Sequence, residues 1–185
     1  MPTPAKTSLP ELVDIARHLV DASGVEGLTV SAVAQSAGVK APSLYKHFAD
    51  RAALLRAVEI SILADLEAML RAETEGGTPG ARLRSMASCY RRFAKAQPQR
   101  YALLYRRDAL DDPAIAEACV FAAQPMFEEL RAAGVKEERV LPLARTITAF
   151  LHGFVSMEIA RAFRFGGDLD ADFLASVETI LREVP

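Results

Sequence analysis

Apolar positions along this chain of 185 residues recur at spacings of three and four, with polar residues filling the gaps. Leu9, Leu12, Val13, Ala16, Leu19 and Val20 fall on one face of a first helix. Ser8 and Glu11 bracket its start as a capping box, each side chain satisfying the other's backbone amide. Gly24 and Gly27 end it. Thr29 can accept an orphan amide at the start of a second helix, whose apolar stripe is Val33, Ala34 and Ala37. Gly38 interrupts that stripe where a tight turn requires positive φ, and Pro42 stands where a third helix begins. Leu44 and Phe48, four apart, face inward. Ser43, Tyr45, Lys46 and His47 are left on the other sides.

The same period continues beyond this unit. Asp50 caps a fourth helix, which Leu54, Leu55, Val58, Ile62, Leu66, Met69 and Leu70 carry to about Glu73. Residues 75–80, Glu-Gly-Gly-Thr-Pro-Gly, are the clearest break in the chain. Thr78-Pro79 opens a fifth helix to Gln97, Pro98 starts a short segment over 100–107, and Asp112-Pro113 opens a helix to about Arg131 with a kink at Pro125. Residues 138–165 form the most apolar helix and 168–183 the last, with Leu174, Val177, Ile180 and Leu181 on one face. No strand-period segment of useful length appears. The pattern predicts an all-α fold of about nine helices: a three-helix helix-turn-helix domain over residues 1–49 and a helical bundle over 50–185. The first seven residues, with two prolines and Lys6, read as a flexible arm.

Composition narrows the function classes. Lys plus Arg is 22 and Asp plus Glu is 24, and residues 1–51 carry five of each sign. That balance argues against a nonspecific DNA coat but not against a specific binder, whose few cations need only share one face. The amino terminus has no apolar signal region, and the longest apolar candidate, 147–163, is broken by His152, Glu158 and Arg161, so a cytoplasmic protein is expected. Cys89 and Cys119 fit no disulfide or metal pattern and read as small buried residues. Three scattered histidines make no ligand cluster, so neither metal nor cofactor is expected. Walker, dinucleotide-glycine and His-Glu-x-x-His motifs are absent, which argues against an enzyme. Ser43 and Lys46 match a Ser-x-x-Lys pattern, but the Ser-Asp-Asn and Lys-Thr-Gly partners of that chemistry are missing. The stretch 91–107 holds six basic residues and no acid, whereas 108–138 holds eight acids against two bases; the two are expected to pair with each other.

A short helix that is polar outside and anchored inside suits entry into a major groove. The residues themselves, Gly38-Val39-Lys40-Ala41-Pro42-Ser43-Leu44-Tyr45-Lys46-His47-Phe48 followed by Asp50-Arg51 and the Leu54-Leu55 pair, resemble the recognition helix and following helix start of the TetR/AcrR transcriptional regulators. The resemblance extends over residues 12–58 and implies a recognition helix over 41–48. It implies base-edge or groove-floor positions for Lys40, Ala41, Pro42 and Ser43, and backbone phosphate contacts for Tyr45, Lys46 and His47. Thr29, Ser31 and Arg51 would hold flanking phosphates. Of the first group only Lys40 and Ser43 bring donors toward bases, while Ala41 and Pro42 offer apolar contact to a thymine methyl. Direct readout is thin, so part of the specificity is expected from DNA shape. Tyr45 and His47 also admit a second reading as edges of the small core, and Thr29 as a cap alone.

Residues 151–158, Leu-His-Gly-Phe-Val-Ser-Met-Glu, resemble the signature of the WHG-type TetR carboxy-terminal domain, although the tryptophan often found upstream is absent and Thr148 stands near its place. This resemblance implies a ligand-responsive repressor that dimerises through its last two helices and leaves a pseudo-palindromic operator when a small, largely apolar effector binds. Tyr90, Phe93, Tyr101, Tyr105, Phe121, Phe127, Phe154, Met157 and Glu158 are the candidate ligand contacts, with His152 a further polar group. At helical spacing most such aromatics are core. The alternative is a DNA-binding or interaction module without a small-molecule effector.

Overall fold

The computed structural model describes residues 8–106 and 111–185, so the expected amino-terminal arm lies outside the described residues. Among these there are nine α-helices and no strand: α1 (Leu9–Gly27), α2 (Val30–Ser36), α3 (Ala41–Leu44), α4 (Arg51–Ala72), α5 (Pro79–Ala96), α6 (Pro98–Leu103), α7 (Pro113–Ala132), α8 (Glu137–Ile159) and α9 (Leu169–Leu181). The fold is all-α, as the periodicity implies.

The described chain divides by its contacts into two compact units. The described residues of Met1–Leu63 and Gln99–Ala118 form the first, and Ala64–Pro98 with Cys119–Pro185 the second. Two local facts explain the first unit's reach. The opening turns of α4 bury Leu54, Leu55, Val58 and Ile62, so they belong to the same core as the helix-turn-helix. A distant segment then returns to that unit through ion pairs: Arg100 donates to Asp21 at 2.5 and 2.8 Å, Arg106 lies 3.3 Å from Glu59, and Arg56 pairs with Asp112. Glu59 is only 2% exposed, and such a charge is tolerable in a core only beside a cation.

Within the first unit α2 packs on α1 and α3. The capping box forms as predicted, with Ser8 accepting from the Glu11 amide and Glu11 accepting from the Ser8 amide. Gly24 breaks α1 at φ 67°, and the chain continues through a kink to Leu28.

In the second unit α5, α8 and α9 pack against one another. Thr78 caps α5 and Asp168 caps α9, accepting from the amides of Asp170 and Ala171. Two expected boundaries shift. α8 stops at Ile159 rather than near 165, because Arg161 adopts φ 52° and the amides of Arg161 and Ala162 return to the carbonyls of Glu158 and Met157. That is a Schellman closure, here without glycine. α6 ends at Leu103, and looser i→i+3 turns carry the chain to Arg106. α7 runs as one helix through Pro125.

α8 is long and apolar enough by length and composition to cross a membrane, contrary to the sequence expectation. Its buried residues, Val140, Leu143, Ala144, Ile147, Leu151 and Val155, belong instead to the side that packs on α5 and α9. Cys89 is buried and burial pushes its thiol pKa up; Cys119 is exposed, not buried as expected, and neither forms a disulfide.

Candidate nucleic-acid interface

The helix-turn-helix is built from three local devices. Thr29 accepts from the Ala32 amide at 3.0 Å, which starts α2. At the other end the Gly38 amide bonds back to Gln35 and the Val39 amide to Ala34, with Gly38 at φ 66°. This Schellman closure reverses the chain within a few residues and delivers Lys40 to the start of α3. Lys40 is the N-cap residue of α3 but makes no side-chain cap bond, so the helix start does not engage its amine. Pro42 supplies helical φ in the first turn.

The regular part of α3 is shorter than the predicted 41–48. It ends at Leu44 because the next turn tightens: the His47 and Phe48 amides both bond to the Leu44 carbonyl, at 2.8 and 2.9 Å. The segment still anchors as the spacing required, since Leu44 and Phe48 are 1% and 2% exposed. Around that anchor Pro42, Ser43, Tyr45, Lys46 and His47 are exposed, as are Lys40 and Ser31, while Ala41 is half-buried. Tyr45 is 56% exposed, which removes it from the core edge. The His47 ring stays 6.5 Å from that of Phe48 and is exposed too. One continuous stretch, 40–47, therefore presents two amines, a serine hydroxyl, a phenol and an imidazole outward from a fixed apolar footing.

Arg51 is placed differently from the other candidates. It is half-buried, and its Nε and Nη2 donate to the carbonyls of Leu28 and Val25 at 2.7 and 2.6 Å. Those carbonyls lie where α1 gives way to α2, so Arg51 ties the start of α4 to the approach to Thr29. The geometry makes it a brace for the start of α2.

The predicted effector contacts are divided between the two units. Tyr101 and Tyr105 belong to the first unit, where their rings lie 5.2 Å apart, and Tyr105 is exposed. In the second unit Tyr90 and Phe93 are buried in the core, Phe127 is half-buried, and Phe121 and Met157 are exposed. Phe154 is half-buried between Phe163 and Phe173, at 4.9 and 5.2 Å between centroids. Glu158 is committed to an ion cluster. It accepts from Arg91 Nε and Nη2 at 2.8 and 2.7 Å and from Lys95 Nζ at 2.6 Å. The Arg91 guanidinium beside it holds the Glu158 carboxyl below its ordinary pKa. His152 is half-buried, 3.4 Å from the Ser156 hydroxyl, and burial pushes its pKa down.

Sequence reasoning missed the role of Arg91 and mispaired the basic stretch. Arg91, Arg92, Lys95, Arg100 and Arg106 pair with Glu158, Asp170, Glu73, Asp21 and Glu59, none of them in 108–138. Among the described acids of that region, Glu128 pairs with Arg71, Glu129 with Arg82 and Glu137 with Arg131. Charge runs reveal an excess, but partner choice depends on which helix faces which. Among the described residues no group of three or more potential metal ligands gathers.

Comparison with known proteins covers both ends of the chain. A family model for bacterial regulatory proteins of the tetR family matches residues 12–58, and one for the tetracyclin repressor-like C-terminal domain matches 83–183. An uncharacterised HTH-type transcriptional regulator of Mycobacterium tuberculosis is 34% identical over 91% of this chain and 77% of its own. A Rhodococcus sp. RHA1 protein of unknown function superposes with a TM-score of 0.82 at 25% identity, over 99% of both chains. A TetR variant from Acinetobacter baumannii, solved in complex with minocycline, superposes with a TM-score of 0.71 at 21% identity over 95% of both. The helix-turn-helix geometry and these matches along both parts of the chain lead to one conclusion: the protein belongs to the TetR family and is a DNA-binding transcriptional regulator.

Proposed function

We propose that this regulator is a repressor that binds a pseudo-palindromic operator as a homodimer and releases it when a small molecule binds the second unit. The observation that carries the DNA reading is the exposed row at 40–47 on a buried Leu44–Phe48 footing. Lys40 and Ser43 would meet base edges, with Ala41 and Pro42 against the groove floor. Tyr45, Lys46 and His47 would hold phosphates, and Thr29 and Ser31 the flanking backbone, where the amides of a helix start favour anions. Arg51 acts by holding that helix start in place.

A homodimer through α8 and α9 is supported by the exposed apolar side chains Leu141, Met157 and Ile159 on α8. Two copies related by a twofold axis would set their recognition segments about one DNA turn apart. A ligand would act through α4, whose continuous backbone enters both units, by preferring one of two conformers. The protein acts in the cytoplasm by binding, without catalytic turnover. The second reading is a DNA-binding module with no effector.

The experiment is selection of tight binders from a random duplex pool at near-physiological salt. An inverted repeat supports the dimeric operator reader. Recovery of no shared sequence by folded protein overturns it. Screening ligands against the recovered operator then separates the repressor from the module that no ligand releases.

A further inference from the structure

The second unit contains a cavity of about 620 Å³ that none of the predicted effector contacts lines. One wall is a single face of α5, where Ser88, Arg91, Arg92 and Lys95 fall at i, i+3, i+4 and i+7; the other is α9, with Asp170, Phe173 and Leu174. The walls differ in chemistry. α5 contributes three cations on consecutive turns, and α9 contributes an aromatic floor together with Leu174, which stays 45% exposed.

Arg91 is held in place before anything binds. The Arg91 side chain is 10% exposed, with its guanidinium 4.8 Å from the Phe173 ring centroid and 5.7 Å from that of Phe154. Glu158 fixes it through Nε and Nη2 and also takes Lys95, while Glu73 takes Arg92 at 3.1 Å. Glu158 and Glu73 do not line the groove; among the described residues the only acid that does is Asp170. Asp170 lies 2.7 Å from Arg91 Nη2 with its own side chain 77% exposed. An exposed carboxylate resting on a nearly buried guanidinium is weakly held, because water competes for it freely. It occupies the position that a bound carboxylate would take.

We propose that this groove binds an amphipathic monocarboxylate. Its head displaces Asp170 from Arg91 and is shared with Arg92 and Lys95, and its apolar body lies along Phe173, Leu174 and Ala96. The preorganised guanidinium supplies geometry for a planar carboxylate, and the exposed Leu174 supplies apolar area that burial rewards. As the effector site, this rests on the ligand-responsive reading above; as a binding site, it stands by itself.

The test uses the full chain in its solution assembly, titrated calorimetrically with decanoate, 1-decanol and decyltrimethylammonium below their aggregation limits. Decanoate is expected to bind on the order of tenfold more tightly than decanol, with an affinity that falls as salt is added. R92Q is expected to weaken decanoate on the order of fivefold, K95Q similarly, and D170N to tighten it by removing the competing carboxylate. Arg92 is 63% exposed in its side chain, so R92Q tests the site even if K95Q fails to fold. Equal binding of decanoate and decanol, or an unchanged decanoate affinity in folded R92Q, overturns the proposal. Decanoate binding that leaves operator affinity untouched upholds the groove and overturns its effector role. Operator release by some other ligand, with no decanoate binding, overturns the groove and leaves the repressor reading standing.

Discussion

Arg51 donates its Nε hydrogen to the Leu28 carbonyl at 2.7 Å, across 23 positions of sequence, while its Nη2 reaches Val25. This side chain braces the start of α4 against the junction of α1 with α2. Two charge-assisted bonds to backbone carbonyls contribute on the order of 1.5–3 kcal/mol each, and an Arg fork makes both at once. R51K keeps the charge but loses the fork. It is expected to unfold at lower denaturant concentration than wild type by roughly 1–2 kcal/mol in the absence of DNA. Unchanged stability accompanied by weaker DNA binding would mean that Arg51 acts on phosphate and not as a brace.

Lys46 is exposed beside the Leu44–Phe48 footing. A lysine on a phosphate releases a condensed counterion without reading sequence. K46A is expected to weaken binding to specific and random duplexes alike and to reduce the salt slope by about 1 for each phosphate that a subunit no longer neutralises. Titrations at several salt concentrations measure this, and an unchanged slope removes Lys46 from the phosphate-binding set.

Ser43 is the exposed hydroxyl of α3. Its removal is expected to act on preference more than on overall affinity. S43A should relax discrimination at one base-pair position per half-site, by about 1–3 kcal/mol if the hydroxyl makes a good base contact. A uniform loss across all operator variants counts against that role.

Gly38 sits at φ 66°, and nothing lies within 4 Å of where a Cβ would be. The cost of G38A is therefore backbone strain alone, about 1–2 kcal/mol. The expected result is a lower unfolding midpoint with a native-like circular dichroism spectrum. No loss of stability would mean that the turn can relax to negative φ.

Glu158 has its pKa lowered, chiefly by its bonds to Arg91 and against the effect of burial. Because the folded state then binds fewer protons than the unfolded state, this stabilisation is complete above the ordinary glutamate value of 4.5 and is lost as pH falls through the folded value. E158Q is expected to be less stable than wild type near neutral pH, with the difference shrinking below about pH 4.5. His152, whose pKa burial lowers, adds a separate loss of stability below 6.5 in both proteins. Denaturant titrations across this range test the prediction; a gap between the two proteins that stays constant with pH contradicts it.

Legibility in this chain follows the range of the interactions concerned. Ser8 with Glu11, Thr29 with Ala32, and the Leu44–Phe48 pair are fixed by neighbours three or four residues away, so spacing and side-chain chemistry alone were enough to predict the caps, the turn at Gly38 and the anchored recognition segment. The all-α class followed from the same period. What could not be read there involves partners far apart in sequence. Arg91 meets Glu158 across 67 positions, Arg100 meets Asp21 across 79, and Glu59 is buried beside Arg106. Each depends on which helix faces which, and many helix arrangements satisfy the same apolar stripes. The tertiary structure alone therefore decided that the described residues of 99–118 join the amino-terminal unit, that Arg51 braces a helix start, and that three α5 cations line a groove opposite Phe173 and Leu174. A periodic pattern names the buried face of a helix, and only packing names its neighbour.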